Sequence, residues 1–210
     1  MKKLFFISVL SLAVATNAFS QETQPSKDCE GAFPKGSSVI SAGVGFGAGE
    51  LEPTGFTYNM PVNPTLTWDM AITRKLGIGN IGVGLILSTT SYYLSDTYGN
   101  EYYYTANLVG ARFSYHFIIP KSHRFDPYVG FVVGYLFGSA FDTTTFIVGY
   151  LNGAPAAPQI NTGETTVLFG GFHFYFSRVF GVTVETGLGG FSFAFVGLTF
   201  RFGGCKSGRK

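Results

Sequence analysis

The chain has 210 residues, of which only 12% are charged while 17% are aromatic, and it carries 29 glycines. So few charges among so many apolar and aromatic residues exclude a disordered chain, and the length fits one domain or a small pair. The formal charge of +2 comes from Lys2 and Lys3; without them twelve basic residues face twelve acidic ones, which leaves no basic excess for nucleic acid.

Lys2 and Lys3 open the chain, and Leu4 to Ala15 form an apolar run too short to span a bilayer as a helix. Ala18-Phe19-Ser20 offers small residues before Gln21, with a second cleavage position after Ala18. Residues 1–20 therefore read as a secretory signal peptide, removed on export. Residues 21–37 are polar, contain Pro25, Pro34 and Gly36, and read as an irregular N-terminal segment.

From Val39 an apolar residue recurs at every second position, the period of a strand with one apolar face. Ile40, Ala42, Val44 and Phe46 share the first such face, and Leu51 to Pro61 reads as a loop. Leu66, Trp68, Met70 and Ile72 mark strand two, with Thr65, Thr67, Asp69 and Ala71 opposite. After a turn at 74–77, Ile81, Val83, Leu85 and Leu87 mark strand three. A Tyr-rich loop follows, centred on 96–101. Val109, Ala111, Phe113 and Tyr115 mark strand four, against Gly110, Arg112, Ser114 and His116.

A turn is expected over 118–125. Val129, Phe131, Val133, Tyr135 and Phe137 give strand five, and 142–163 is the longest connection. Leu168, Gly170, Phe172 and Phe174 alternate with Phe169, Gly171, His173 and Tyr175 in strand six. Val182, Val184 and Thr186 alternate with Thr183, Glu185 and Gly187 in strand seven. Gly189-Gly190 signals a tight hairpin before strand eight, where Val196, Leu198, Phe200 and Phe202 oppose Phe195, Gly197, Thr199 and Arg201.

Eight strands of roughly membrane-crossing length, with no helices to cover their apolar faces, predict an all-β fold. It is an eight-stranded antiparallel up-and-down transmembrane β-barrel over 38–203, followed by a polar tail at 204–210. A helical bundle would have to absorb Gly77, Gly79, Gly82 and Gly84 in one segment. A soluble barrel with the apolar set inside would leave little reason for the inward glycines.

The first strand SAGVGFG, the paired segments FGVTVETGLGG and FAFVGLTFRF, and the aromatic closing strand resemble the small eight-stranded outer-membrane β-barrels related in shape to OmpA and OmpW. The resemblance covers about residues 38–202. It implies a cell outer-membrane location, contact with outer-membrane lipids, and passage through the barrel-assembly machinery. Gly197, Phe200 and Phe202 match the assembly signal that this machinery reads, although Phe195 stands where a polar residue is usual and eight residues follow Phe202. The family is mixed in function and implies no activity.

Alternation turns Asp69, Arg112, His173, Glu185 and Arg201 inward, with His116 near one end. An eight-stranded barrel is about wide enough to be filled by its own side chains, so these form a salt-bridged plug; a narrow porin-like path or small-solute pocket is the alternative. No catalytic residues are expected: Ser114 and His116 are the one close Ser/His pair on a face, and they point into the lumen. No metal-ligand spacing and no cofactor motif is present. Cys29 and Cys205 flank the barrel and could approach in a closed ring as a disulfide; two free thiols are the other outcome. The tyrosines of loop 92–104 are expected to form an interfacial aromatic girdle; an external ligand at that loop or at the loop 142–163 is the alternative.

Overall fold

Each alternating run folds as a strand of one closed wall. The computed structural model describes residues 31–47, 57–58, 62–95, 101–120, 122–142, 162–188, 192 and 194–204. Its strands are β1 (Ser37–Phe46), β2 (Thr57–Tyr58), β3 (Val62–Ala71), β4 (Gly79–Ser95), β5 (Glu101–Phe117), β6 (Phe125–Asp142), β7 (Gly163–Tyr175), β8 (Phe180–Leu188) and β9 (Ala194–Gly203). Among the described residues there is no helix.

Neighbours in sequence pair antiparallel, and β1 pairs with β9 from Ser37↔Gly203 to Phe46↔Ala194, which closes the ring. The two residues of β2 pair with the top of β4 and continue the line of β3, so eight strands form the wall. This places a short strand inside the stretch expected to be loop at 51–61.

The registers also fix the stagger. Ile81 meets Tyr115, then Val129, Gly170, Thr186, Ala194 and finally Phe46. In the other direction Ile81 bonds to Ile72, which the β1–β3 register aligns with Gly36, ten residues before Phe46. A stagger of that size in an eight-stranded ring tilts the strands by about 35–45°.

Inside and outside follow the pleat. Leu198 and Phe200 are 49% and 41% exposed, whereas Thr199 between them is fully buried. The outer face is an apolar belt that includes Leu66, Trp68, Leu85, Phe113 and Phe131, as a lipid-facing wall requires. Where β1 and β9 close, Gly43 lies opposite Gly197, and a Cβ on Gly43 would stand 2.2 Å from the Val196 carbonyl oxygen. Only glycine fits there.

The wall is uneven in height. β4 and β5 have 17 residues each and β6 has 18, against nine in β8 and ten in β9. At about 3.4 Å per residue and the tilt above, the long strands rise roughly 40 Å, well beyond an apolar belt of about 25 Å. The expected Tyr-rich loop is therefore mostly wall: Tyr92 pairs with Tyr104, Tyr93 with Tyr103 and Leu94 with Tyr102, leaving 96–100 as the connection. The 143–161 stretch of the long connection and the Gly189-Gly190 hairpin lie outside the described residues, as do residues 1–30 and 205–210.

Residues 31–36 do not hang free of the barrel. They fold into the end that carries the short turns, here called the turn end. Phe33 is 2% exposed and packs with Val39 and Ala71. Asn80 Nδ2 donates to the Phe33 carbonyl at 2.6 Å, Gly36 N–H donates to Ala71, and Gly204 N–H donates to Gly36. Gly31 and Gly36 adopt φ of +84° and +81°, which lets the segment reverse in so little space.

A charge on the outer wall should be far less tolerated than its sequence position suggests. Leu85→Arg, at mid-height on the apolar face, is expected to cost about 2–4 kcal/mol in reversible unfolding from lipid bilayers. A loss below about 1 kcal/mol would contradict the lipid-facing assignment.

Candidate functional site

The lumen is built from alternate residues of all strands, and its charges sort by height. At mid-height Arg112 on β5 lies 1% exposed. Its Nε donates to Asp69 Oδ2 on β3 at 3.2 Å, and Nη1 and Nη2 donate to Glu185 Oε1 and Oε2 on β8 at 3.2 and 2.9 Å. The guanidinium carbon stands 4.0 Å from the centre of the Phe169 ring. Tyr128 donates to Glu185 Oε2 at 3.0 Å and shares a hydrogen bond with Thr183 at 3.1 Å. One guanidinium thus holds carboxylates from opposite parts of the wall, and the bidentate fork fixes their planes.

Towards the turn end a second cluster begins. His116 Nδ1 lies 3.0 Å from both oxygens of Asp126, and His173 Nδ1 lies 3.1 Å from Asp126 Oδ2. All three residues are almost fully buried. The registers explain the convergence: Asp126 on β6 pairs directly with His173 on β7, while His116 on β5 faces Tyr128, two residues along. The Phe33 ring stacks on His116 at 3.7 Å between centroids and covers this cluster from the turn end.

Ser114 joins the two levels. Its Oγ lies 3.0 Å from His116 Nε2 and 3.5 Å from Asp69 Oδ1. Ser114, His116 and Asp126 therefore stand in the order of a hydrolytic triad. The serine is buried in the lumen, with its hydroxyl also beside the Asp69 carboxylate.

Arg201 is separate from both clusters. It donates to the carbonyls of Ala32, His123 and Arg178 and lies 4.0 Å from the centre of the Tyr175 ring. Of the five residues that alternation groups together, Asp69, Arg112 and Glu185 meet directly. His173 belongs to the neighbouring cluster, and Arg201 closes the turn end. Asp126 and Tyr128 precede Val129, where the clear alternation of strand five starts; carried back along the chain, the same parity turns both inward. Gly197 faces the lumen while Phe200 and Phe202 face outward on β9. Cys29 and Cys205 lie outside the described residues.

Above the Arg112 level a cavity of about 40 Å³ remains, lined by Ser88, Val132, Phe169, Glu185, Ser192 and Phe195 among others. It has room for a few waters.

Wall and lumen together define a small eight-stranded transmembrane β-barrel with a charged interior. Among solved structures it is similar to the outer membrane protein OprG from Pseudomonas aeruginosa, at 12% identity and a TM-score of 0.57, over 81% of this chain and 98% of that one. It is also similar to Ail, the attachment invasion locus protein of Yersinia pestis, at 13% identity and a TM-score of 0.50, over 80% of this chain and 99% of that one. At such identities the likeness is one of fold, and at that level the resemblance to the small outer-membrane barrels holds. No family model matches the chain, and no curated protein matches its sequence.

Removing the guanidinium leaves the buried Asp69 and the partly buried Glu185 carboxylates without their cation. Arg112→Ala should lower unfolding stability by about 3–5 kcal/mol. Arg112→Lys, which keeps the charge but cannot hold both carboxylates in a fork, should fall between that variant and the parent. Urea unfolding followed by heat-modified gel mobility measures both; an unchanged Arg112→Ala variant would remove the plug from the account.

Proposed function

We propose that the chain is an outer-membrane barrel with a structural or surface-interaction role, exported by its N-terminal signal peptide and inserted by the barrel-assembly machinery. It stands among outer-membrane lipids with both ends of its chain on the periplasmic side. The observation that carries this reading is the Arg112 fork: its four hydrogen-bonded contacts to Asp69 and Glu185 fill the lumen at mid-height. The inserted Phe33 fills it again at the turn end. Short turns at the end holding Ser37 and Gly203, and tall strands at the other, support the orientation. The raised β4–β5–β6 wall, with its paired tyrosines, is the part that reaches furthest from the membrane and the natural place for an external partner. The role assigned to the lumen is non-catalytic.

The cavity above Glu185 favours a second reading, in which the loop-end half of the lumen binds or admits a small solute. Passage would then require the Arg112 fork to open.

Planar-bilayer recording separates the two. The folded protein is expected to give no discrete openings, and Arg112→Ala to give small ones if it still folds. Openings in the parent protein, changed in size or ion preference by Arg112→Lys, would replace the plug with a gated path.

A further inference from the structure

Asp126 poses a problem of charge. It is 1% exposed, and its hydrogen-bonded partners are two imidazoles, not a guanidinium or an ammonium. Arg112 is committed to Asp69 and Glu185, and Arg201 to main-chain carbonyls. A buried carboxylate needs positive charge close by. Protonated imidazole is one source and a bound cation is the other.

The donor set suits a cation. One ligand atom from each of His116, Asp126 and His173 lies within 4.8 Å of the other two, and both Nδ1 atoms contact the Asp126 carboxylate. A tetrahedral zinc ion about 2.0–2.1 Å from its ligands needs them about 3.3 Å apart. The nitrogen–carboxylate separations of 3.0 and 3.1 Å are already close to that. Two imidazoles and a carboxylate favour zinc and its first-row divalent neighbours over calcium or magnesium, which take oxygen ligands.

The outer partners are those a ligating histidine requires. The far nitrogen of His116 is held by Ser114, and Ser114 by Asp69. With an ion on Nδ1, Nε2 carries its proton and donates to Ser114, whose hydroxyl donates on to Asp69. That chain fixes the tautomer and aims the ring. Neighbouring rings, Phe33 against His116 and Tyr128 against His173, wall the position.

We propose that His116, Asp126 and His173 form a binding site for one divalent transition-metal ion of the zinc class, completed by water and entered from the turn end past Phe33. Any proton carried on a ligating nitrogen leaves to solvent as the ion binds, and no redox change is involved.

The test uses the full-length folded protein in detergent, stripped with chelator and titrated with zinc by calorimetry and with cobalt by visible absorption. One ion per chain is expected, with cobalt bands free of thiolate charge transfer. His173→Gln should weaken binding at least about tenfold, and Ser114→Ala about ten- to hundredfold. Phe33→Ala should speed uptake, and Cys29→Ser with Cys205→Ser should change nothing. Folding of each variant is confirmed by heat-modified gel mobility. The site is overturned by three results: no zinc binding to the folded parent protein, equal binding by the folded His116→Gln/His173→Gln double variant, or a thiolate band that moves the ion to the cysteines.

Discussion

Closure of β1 on β9 is the constraint from which the rest of the molecule follows. Hydrocarbon offers no water to an unpaired N–H or C=O, so a strand edge inside a membrane is costly and a ring removes it. Here the first and last strands pair over the whole of β1, and Gly43 and Gly197 let the two backbones approach. Closure does more than satisfy the backbone. It fixes the stagger of ten, and the stagger decides which inward residues share a level. Arg112 meets partners 43 and 73 residues away in sequence for that reason alone.

Burying a guanidinium and two carboxylates carries a desolvation penalty that their attraction offsets only when the geometry is good. The geometry is good here: each carboxylate takes two contacts from the arginine, the Phe169 ring lies against the guanidinium, and Tyr128 satisfies a further lone pair of Glu185. A ring shifted by one residue would turn these groups into lipid and the outer leucines inward.

Strand positions were legible because lipid imposes one chemistry on every second residue. Trp68, Leu85, Phe113, Phe131, Leu198 and Phe200 all face outward as their parity requires. Contacts between charges were not legible, because parity gives the face and not the height. Arg201 shares its parity with the lumenal set, yet its place at the end of β9 directs it to carbonyls instead of carboxylates. Asp126 was missed for a related reason. Pro127 and the turn before it hide the start of β6, and the metal-like convergence with His116 and His173 spans three strands with no spacing rule to reveal it. The tyrosines read as a loop because tyrosine-rich, charge-poor sequence near a Gly-Asn pair suits a turn as well as a strand; pairing with β5 decided it.

The N-terminal segment shows how closure and filling are linked. Polar composition, Pro34 and Gly36 mark residues 31–36 as part of an irregular N-terminal segment. Their carbonyls serve as acceptors for groups on the wall: Asn80 holds Phe33, His123 approaches the Gly31 oxygen at 3.1 Å, and Arg201 holds Ala32. Asn80 is on β4 and His123 in the turn before β6. The third of these groups is on β9, the last strand. Arg201 can reach Ala32 only when β9 lies beside β1, and the same guanidinium then also holds the carbonyls of His123 and Arg178. The bond that joins Ala32 to Arg201 is thus a consequence of closure, so full anchoring of the segment over the His116 cluster is coupled to completion of the wall.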